Sequence, residues 1–583
     1  MTLWQSSPRI QRREPPVDPD GLPAEWHPVV RRVMAARGVG DARDLDMRLT
    51  GLYAPQELGG MEAAVALLSE VVAHGGRITV VGDFDADGAT GSALAVLALR
   101  SMGATDVSFV VPNRFAHGYG LSPGLVRDAL VPLEPDLVIT VDNGVSSVSG
   151  VDAAREAGMR VIVTDHHLPG DSLPRAHAMV NPNLPDDPFP SKALAGVGVV
   201  FYLMAALRSH LRESNWFSAS RPEPELAALL DLVALGTVAD LVPLDRHNRI
   251  LVEQGLRRIR AGRAQPGVAA LIQVAGRDPG RLTTADLGFA VGPRLNAAGR
   301  LEDMSYGIEC LLEQDPGRAM AMAQQLDGIN RERRTVQHAM QAQAEEALAT
   351  VAGRLRSVDL PWGVSLFEPG WHPGVVGLVA SRVKDRLHRP VVAFAPAESG
   401  SDELKGSARS VRSLHIRDTL ANLDARHPGL VTRFGGHAMA AGLSLPRSGL
   451  DQFREAFDRE VRKKLAATDL EQVILTDGEL DAEDFRLDLA ERLRMAAPWG
   501  QGFPEPRFDG VFRVRDSRTV GGAHLKLRLE PEAGGRTLDG IAFQMTEAEL
   551  GDAERIRAAY VLDVNEFRNR RSVQLRIEYL EPL

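Results

Sequence analysis

The chain has almost no cysteine. Cys310 stands alone among 583 residues, so no disulfide forms within the chain, and a reducing cytoplasm is the compartment that fits. Long apolar runs are also missing. No stretch approaches the roughly 20 residues of a membrane span, and no membrane association is expected. The first residues, "MTLWQSSPRIQRREPPVDPDG", contain no apolar core and read as a polar arm rather than a secretory signal. Positive charge is not in excess. The formal net charge is −10, which argues against a surface coated for nucleic acid but leaves room for a local basic groove. No low-complexity tract or repeat of roughly 20 to 50 residues interrupts the sequence. The hydrophobic share, 44%, is that of ordinary globular domains with sizeable cores. The length suggests about three or four of them.

What is present is negative charge in an unusual place. "VVGDFDADGATG" sets Asp83, Asp85 and Asp87 at alternate positions directly after an apolar run. That run, "ITVV" (78–81), is the first of four short β-rich segments. "VSFVV" (107–111), "LVITV" (137–141) and "VIVT" (161–164) follow, each bounded by turn or helix signals. Such segments predict a parallel sheet buried on both faces. Ligands bind such sheets beyond the carboxyl ends of the strands. Asp83, Asp85 and Asp87 follow one strand, Asp142 another, and Asp165, His166 and His167 a third. A helical run, "LLDLVALGTVADLVPL", carries Asp240. Any one of these aspartates is as readily a helix cap or turn residue. A set converging on one sheet edge is not.

Like carboxylates repel unless cations neutralise them. Oxygen and imidazole ligands suit Mg²⁺ or Mn²⁺, and the absence of cysteine from the cluster argues against structural zinc. A carboxylate bridging two ions about 3.5–4 Å apart suits two-metal hydrolysis of a phosphodiester.

"DFDADG", "VDNG", "TDHH" and "VADLVPL" stand in the order of the four motifs of the DHH phosphoesterase superfamily, which this chain therefore resembles. "GPRLNAAGRL" (292–301), "GWHPGVVGLVASRV" (370–383), "KGSARS" (405–410) and "FGGHAMAAG" (434–442) are similar to motifs of its bacterial single-strand-specific exonucleases. The resemblance implies metal ligands at Asp83, Asp85, Asp87, Asp142, His166 and Asp240, with Asp142 bridging two Mn²⁺ or Mg²⁺ ions. It implies catalytic roles for Asp142 and for His167 near the scissile phosphate. Asp165 would orient a neighbouring histidine.

The resemblance also implies an organisation. An N-terminal arm with helices (1–76) precedes a metal-dependent phosphoesterase domain (77–310). A long helix (311–353) leads to a second α/β, substrate-binding domain (354–468), and an all-β, OB-like barrel (469–583) follows. The long helix is also legible in its helix formers, with Gly328 a weak point. The run Arg331–Arg334 reads as a solvated face. In the second domain, Arg409 and Ser410 and the Gly435–Gly436–His437 run are candidate contacts to the substrate backbone, with small residues after His437 suiting a helix start. His372 fits either substrate binding or capping. Arg294, Asn296 and Arg300 are candidates for the terminal phosphate, with an interdomain salt bridge the alternative for the arginines. The tail alternates with period two. Residues 507–583 hold 13 basic and 13 acidic side chains, so no uniformly basic surface is expected. Phe508, Phe512, Phe543 and Phe567 are candidate stacking platforms, although single aromatics on such strands usually belong to the core.

The activity implied is 5′→3′ hydrolysis of single-stranded DNA to 5′-mononucleotides in recombination and repair. The gap between the two α/β domains would be too narrow for a duplex. A monomer is expected, with single-stranded-DNA-binding protein and a RecQ-type helicase as partners. The alternatives are a phosphodiesterase of oligoribonucleotides or cyclic dinucleotides, or a non-catalytic replication scaffold.

Overall fold

The computed structural model describes residues 8–113, 117–301, 304–351, 360–398, 400–567 and 570–583. The chain divides into two compact units. One holds Pro15–Arg333 with Glu491–Glu505, and the other holds the arm ending at Glu14, Arg334–Ala490 and Pro506–Leu583. No helix among the described residues is long and apolar enough to cross a membrane.

The first strand of the chain, β1 (Arg9–Arg12), belongs to the second unit. The sheet of the first unit follows: β2 (Arg77–Val81), β3 (Asp106–Val110), β4 (Leu137–Val141), β5 (Arg160–Thr164) and β6 (Ala178–Val180). All its pairings are parallel, in the order β3-β2-β4-β5-β6. Every residue of β4 is buried, which is why the strand reads as an unbroken apolar run and not as an alternation. The order reverses between β2 and β4, so the crevice of a doubly wound sheet opens at the carboxyl ends of these two strands. The helices Ala86–Ser101, Gly196–Glu213 and Leu230–Ala239 pack in the same unit, and the first has most of its residues buried.

The helix Pro316–Val351 runs without a break through Gly328. The glycine has open space around it, so neither packing nor backbone conformation interrupts the helix there. The second unit then builds a five-stranded mixed sheet from β7 (Val364–Phe367), β8 (Val391–Pro396), β9 (Glu403–Arg409), β10 (Arg433–Gly436) and β11 (Ala440–Pro446), in the order β10-β11-β9-β8-β7. Phe394, Phe453 and Phe457 are fully buried in its core. Phe453 stacks on Phe457 at 5.7 Å and meets Phe394 edge-on at 5.2 Å.

β12 (Val473–Thr476) pairs in parallel with β1, and Arg12 reaches the buried carboxylate of Asp509 at 2.9 Å. The tail is a closed barrel, β13 (Phe508–Val520), β14 (His524–Pro531), β15 (Leu538–Phe543), β16 (Arg555–Phe567) and β17 (Arg570–Pro582), in the order β13-β14-β15-β17-β16. Leu525, Leu527 and Leu529 alternate inward along β14, the period-two signature of a barrel wall. Phe508 and Phe512 are buried in the barrel core, so neither is a stacking platform. Phe543 is exposed and meets His524 edge-on at 5.2 Å. The Phe567 side chain lies outside the described residues.

Truncating Phe453 removes a ring packed on two others. Phe453→Ala is expected to lower unfolding free energy by about 3–5 kcal/mol, read as a lower denaturant midpoint at unchanged slope. A loss under about 1 kcal/mol would mean that the core closes over the site.

Candidate metal centre

β2 ends at Val81, and the acidic segment turns from it into the helix Ala86–Ser101. Asp85 caps that helix, its Oδ1 accepting the Gly88 N–H at 3.0 Å. Asp87 lies in the first turn, where the helix dipole favours negative charge. Its two oxygens accept the Gly196 and Val197 N–H groups at 2.6 and 3.0 Å, the first amides of the helix Gly196–Glu213. Asp83 accepts the Phe84 N–H at 2.8 Å. Gly88 is required beside it, because a Cβ there would lie 2.7 Å from the Cβ of Asp83.

Asp142 follows β4 in the left-handed region, at φ 61°, a conformation that costs a non-glycine residue roughly 1–2 kcal/mol. The strain is held from several sides. The Asp142 N–H donates to the Thr164 carbonyl at 3.1 Å, and the Tyr119 hydroxyl donates to the Asp142 carbonyl at 3.3 Å. Asn143 Nδ2 donates to the carbonyls of Val81 and Val141 at 3.0 and 2.9 Å. This side chain ties β2 to β4 at the point where the strand order reverses. Gly196 lies against the carboxylate, where a Cβ would be 2.8 Å from Asp142 Oδ1.

Three overlapping groups of ligand atoms result, and one of them is Asp142, His166 and His167. Asp83, Asp85 and Asp142 each place a carboxylate oxygen within 4.8 Å of the others, and so do Asp87, His166 and Asp240 with an imidazole nitrogen. Asp142 Oδ1 joins the groups, lying 3.0 Å from His166 Nε2. His166 Nε2 is also 3.5 Å from Asp240 Oδ2 and 4.0 Å from Asp87 Oδ2. Asp142 Oδ1 and His166 Nε2 are buried, and neither makes a hydrogen bond. Buried polar atoms without partners carry a desolvation penalty. Two such atoms aimed into one ring of carboxylates fit a hard divalent cation, and the donor set of oxygens and one imidazole suits Mn²⁺ or Mg²⁺.

The charge of the cluster is written into its protonation. Burial, with Asp85 second, raises Asp83 to about 7. Burial also lifts Asp87 and Asp142 well above the usual carboxylate range, reinforced for Asp87 by Asp240 and for Asp142 by Asp87. Burial and the charge of Asp85 bring Asp240 to about 6. Burial and the neighbouring His167 lower His166 to about 4, so its ring is neutral at pH 7, the form that binds a metal.

His167 behaves in the opposite way. Burial alone would lower it, but the hydrogen bond and charge of Asp165 outweigh burial and raise it to about 9. His167 Nδ1 lies 2.8 Å from Asp165 Oδ1. Asp165 accepts in addition from the N–H groups of Val145, His166 and His167. It holds the histidine pair in place and belongs to none of the ligand groups. Asn181 and Asn183 donate to the backbone carbonyls of His167 and His166 at 2.9 and 2.6 Å.

The other candidates divide. Arg294 is buried and pairs with Asp327 at 2.9 Å, within the first unit. Asn296 Oδ1 accepts the Ala86 N–H at 2.7 Å, so its carboxamide braces the acidic segment. The Arg300 side chain lies outside the described residues. His372 caps the helix Pro373–Leu387, its Nδ1 accepting the Gly374 N–H at 3.0 Å. The Ser410 hydroxyl is buried and donates to the Leu414 carbonyl at 2.7 Å. "FGGHAMAAG" is not a helix start but a β-hairpin, in which β10 and β11 flank His437, Ala438 and Met439. Gly436, at φ 143°, leaves no room for a Cβ, which would lie 2.5 Å from Ala441 Cα. Arg409 pairs across the sheet with Ala440, and its Nη1 donates to Ser407 Oγ and the Ala408 carbonyl. Arg409, Gly435, Gly436 and His437 thus meet at one end of the sheet, with Gly435 and His437 exposed.

Sequence reasoning passed over Asn143, Tyr119, Gly196, Asn181 and Asn183. The signals were short: "VDNG" includes Asn143, and "NPN" (181–183) follows β6 as "TDHH" follows β5. A bracing residue announces itself in sequence only by polarity at a strand end.

Groups raised in the fold favour the protonated form there. For Asp83 and Asp240, the stability contributed to the metal-free protein is complete below the unfolded value near 4 and is lost as pH rises through about 6 to 7. Metal-free melting temperature should therefore fall between pH 5 and pH 8. Mn²⁺ should remove that fall and release protons on binding at pH 6, read as buffer-dependent calorimetric heat. Changing Asp83, Asp85 and Asp87 together to Asn should abolish the Mn²⁺ gain while the metal-free fold survives. Full Mn²⁺ stabilisation of this variant would place the ions elsewhere.

Comparison with known proteins identifies the domains and the family. Residues 77–237 match the N-terminal domain of the DHH family, residues 359–463 the DHHA1 domain, and residues 476–579 the RecJ OB domain. The single-stranded-DNA-specific exonuclease RecJ of Dickeya dadantii is 55% identical, over 98% of this chain and 99% of its own length. RecJ of Escherichia coli is 51% identical, over 99% of each. The crystal structure of Thermus thermophilus RecJ in complex with Mn²⁺ superposes with a TM-score of 0.73 at 29% identity, covering 99% of this chain and 80% of that one. The same protein with Mg²⁺ gives 0.69 at 27%, covering 99% and 79%. With ligand atoms grouped at the crevice of its parallel sheet, and 55% identity to a RecJ exonuclease over 98% of its length, the chain belongs to the RecJ family of DHH phosphoesterases.

Proposed function

We infer that this chain is a metal-dependent exonuclease on single-stranded DNA, working 5′→3′ and releasing 5′-mononucleotides in recombination and repair. The observation that carries the reading is the pair of ligand groups that meet at Asp142. Asp83, Asp85 and Asp142 would hold one divalent ion, and Asp87, His166 and Asp240 the other, with Asp142 shared. Mn²⁺ or Mg²⁺ bound there supplies Lewis acidity and lowers the pKa of water.

The remaining steps belong to the chain. Asp142, fixed by its strained backbone, keeps the two groups at a set separation. His166 offers a neutral Nε2. His167 is protonated at pH 7. With Nδ1 on Asp165, it keeps a proton at Nε2 to donate to a phosphate oxygen as charge builds there. In the second unit, Arg409 and the Gly435–Gly436–His437 hairpin suit the sugar–phosphate backbone, because glycine admits close approach and a guanidinium forks onto phosphate.

The reading extends to context. Such an enzyme needs a strand already exposed, which an unwinding activity of the RecQ type and a single-stranded-DNA-binding protein would supply. A cytoplasmic monomer suffices for this chemistry.

The decisive experiment is digestion of strands labelled at the 5′ or the 3′ end in Mn²⁺ and in Mg²⁺, with a hairpin and an RNA strand as controls. Asp142→Ala should lower hydrolysis by about 10²–10³-fold or more with little loss of metal-free thermal stability, since one of several repelling carboxylates is gone. Wild-type turnover by this variant would remove Asp142 from the centre. Arg409→Ala should weaken strand binding and flatten its salt dependence by about 0.7 in log–log slope, one single-strand phosphate contact. Equal slopes would assign Arg409 to structure.

A further inference from the structure

The rim of the metal centre is apolar where an anion site alone would not need it to be. Leu168 directly follows His167 and is 79% exposed, and Leu241 directly follows Asp240 and is 67% exposed. Leu241 is also in the left-handed region, at φ 63°, a conformation unfavourable for a leucine. The backbone is strained, and an apolar side chain is left in water.

A second exposed group stands on a segment packed against the helix that precedes Asp240. Phe289, 78% exposed, sits in a π-helical turn, Leu287–Val291. Such turns bulge a helix and recur at functional sites. This one feeds directly into the helix Gly292–Leu301, whose Asn296 braces the aspartate segment. The turn packs along the end of the helix that precedes Asp240. A Cβ on Gly288 would lie 3.3 Å from Val238 Cγ1, and one on Gly292 would lie 3.3 Å from Ala239 Cβ. Phe289 and Leu241 are therefore carried by two packed segments, one of which ends at Asp240.

We propose that Leu241 and Phe289 form an apolar shelf at the edge of the metal centre that takes a nucleobase of the DNA strand next to the scissile phosphate. This rests on the reading of the centre as a single-strand exonuclease. A phosphate needs only cations and N–H groups. A nucleoside also brings a flat apolar face, and stacking on an aromatic ring accepts all four bases alike. That suits an enzyme degrading strands of any sequence. It also favours an unpaired base, because a base inside a duplex has both faces covered.

The test uses the full-length protein with Mn²⁺ and single strands carrying one abasic site, moved stepwise from the end under attack. Wild-type kcat/KM should fall about tenfold at one position and little elsewhere. Phe289→Ala should show a similar loss on the intact strand and no further loss with the abasic site at that position. Phe289→Leu should recover part of it, and Leu241→Ala should follow Phe289→Ala. The rise in melting temperature on adding Mn²⁺ should stay at the wild-type value in all three variants, which separates lost contact from lost fold. If the abasic and Phe289→Ala losses multiply, or if no position is sensitive in an active wild type, the shelf is overturned while the exonuclease reading stands. An inactive wild type would overturn both. A concentration-dependent dimer that Phe289→Ala disperses would assign the shelf to a second copy of the chain, which also overturns the proposal.

Discussion

Mutual repulsion among buried carboxylates is the constraint around which the first unit is built. Asp83, Asp87 and Asp142 are almost wholly buried, and each is raised far above the ordinary carboxylate value. Backbone amides and a helix dipole offset part of that cost. Asp87 takes both leading amides of the helix Gly196–Glu213, and Asp85 caps its own helix. These partners leave Asp142 Oδ1 and His166 Nε2 without a hydrogen bond. Water-exposed aspartates would need none of this apparatus. The burial, the strain at Asp142 and the glycines that admit its carboxylate make sense together only if cations complete the site.

The two histidines show how one dipeptide yields two chemistries. His166 and His167 have ring centroids only 4.5 Å apart, so both cannot readily carry charge. Asp165 decides between them by bonding His167 Nδ1. Its hydrogen bond and charge keep the proton on His167, while burial first and the charged His167 second discourage a proton on His166. Neighbouring groups whose environments push their values apart take separate roles. A neutral imidazole and a protonated one thus arise from adjacent residues of identical type.

Much of this was legible before any coordinates. Buried parallel strands read as apolar runs, and the rule for ligands at their carboxyl ends brought Asp83, Asp142 and His166 to one edge. The barrel was legible because its walls alternate with period two. What escaped was work done by side chains on distant backbone. Nothing in "PRLNAAGR" says that Asn296 holds the Ala86 amide, 210 residues away in sequence, or that Arg294 is buried on Asp327. "FGGHAMAAG" misled because small residues suit a tight hairpin as well as a helix start. The choice is made by pairing with β9 (Glu403–Arg409), which local sequence does not contain.

The overall negative charge acquires a meaning from the same electrostatics. Five aspartates face the ligand groups, and two divalent ions cannot outweigh them. The centre therefore does not become a strong attractor for polyanions even when loaded. Affinity for a strand would then have to come from elsewhere, and on the reading proposed above Arg409 is such a group. The metal centre is then left to act on one phosphate at a time. Tight binding of the strand at such a centre would add nothing to turnover by itself, because only binding that is stronger in the transition state than in the substrate complex raises kcat. On the proposed reading, a product would leave a site that has little positive charge to retain it.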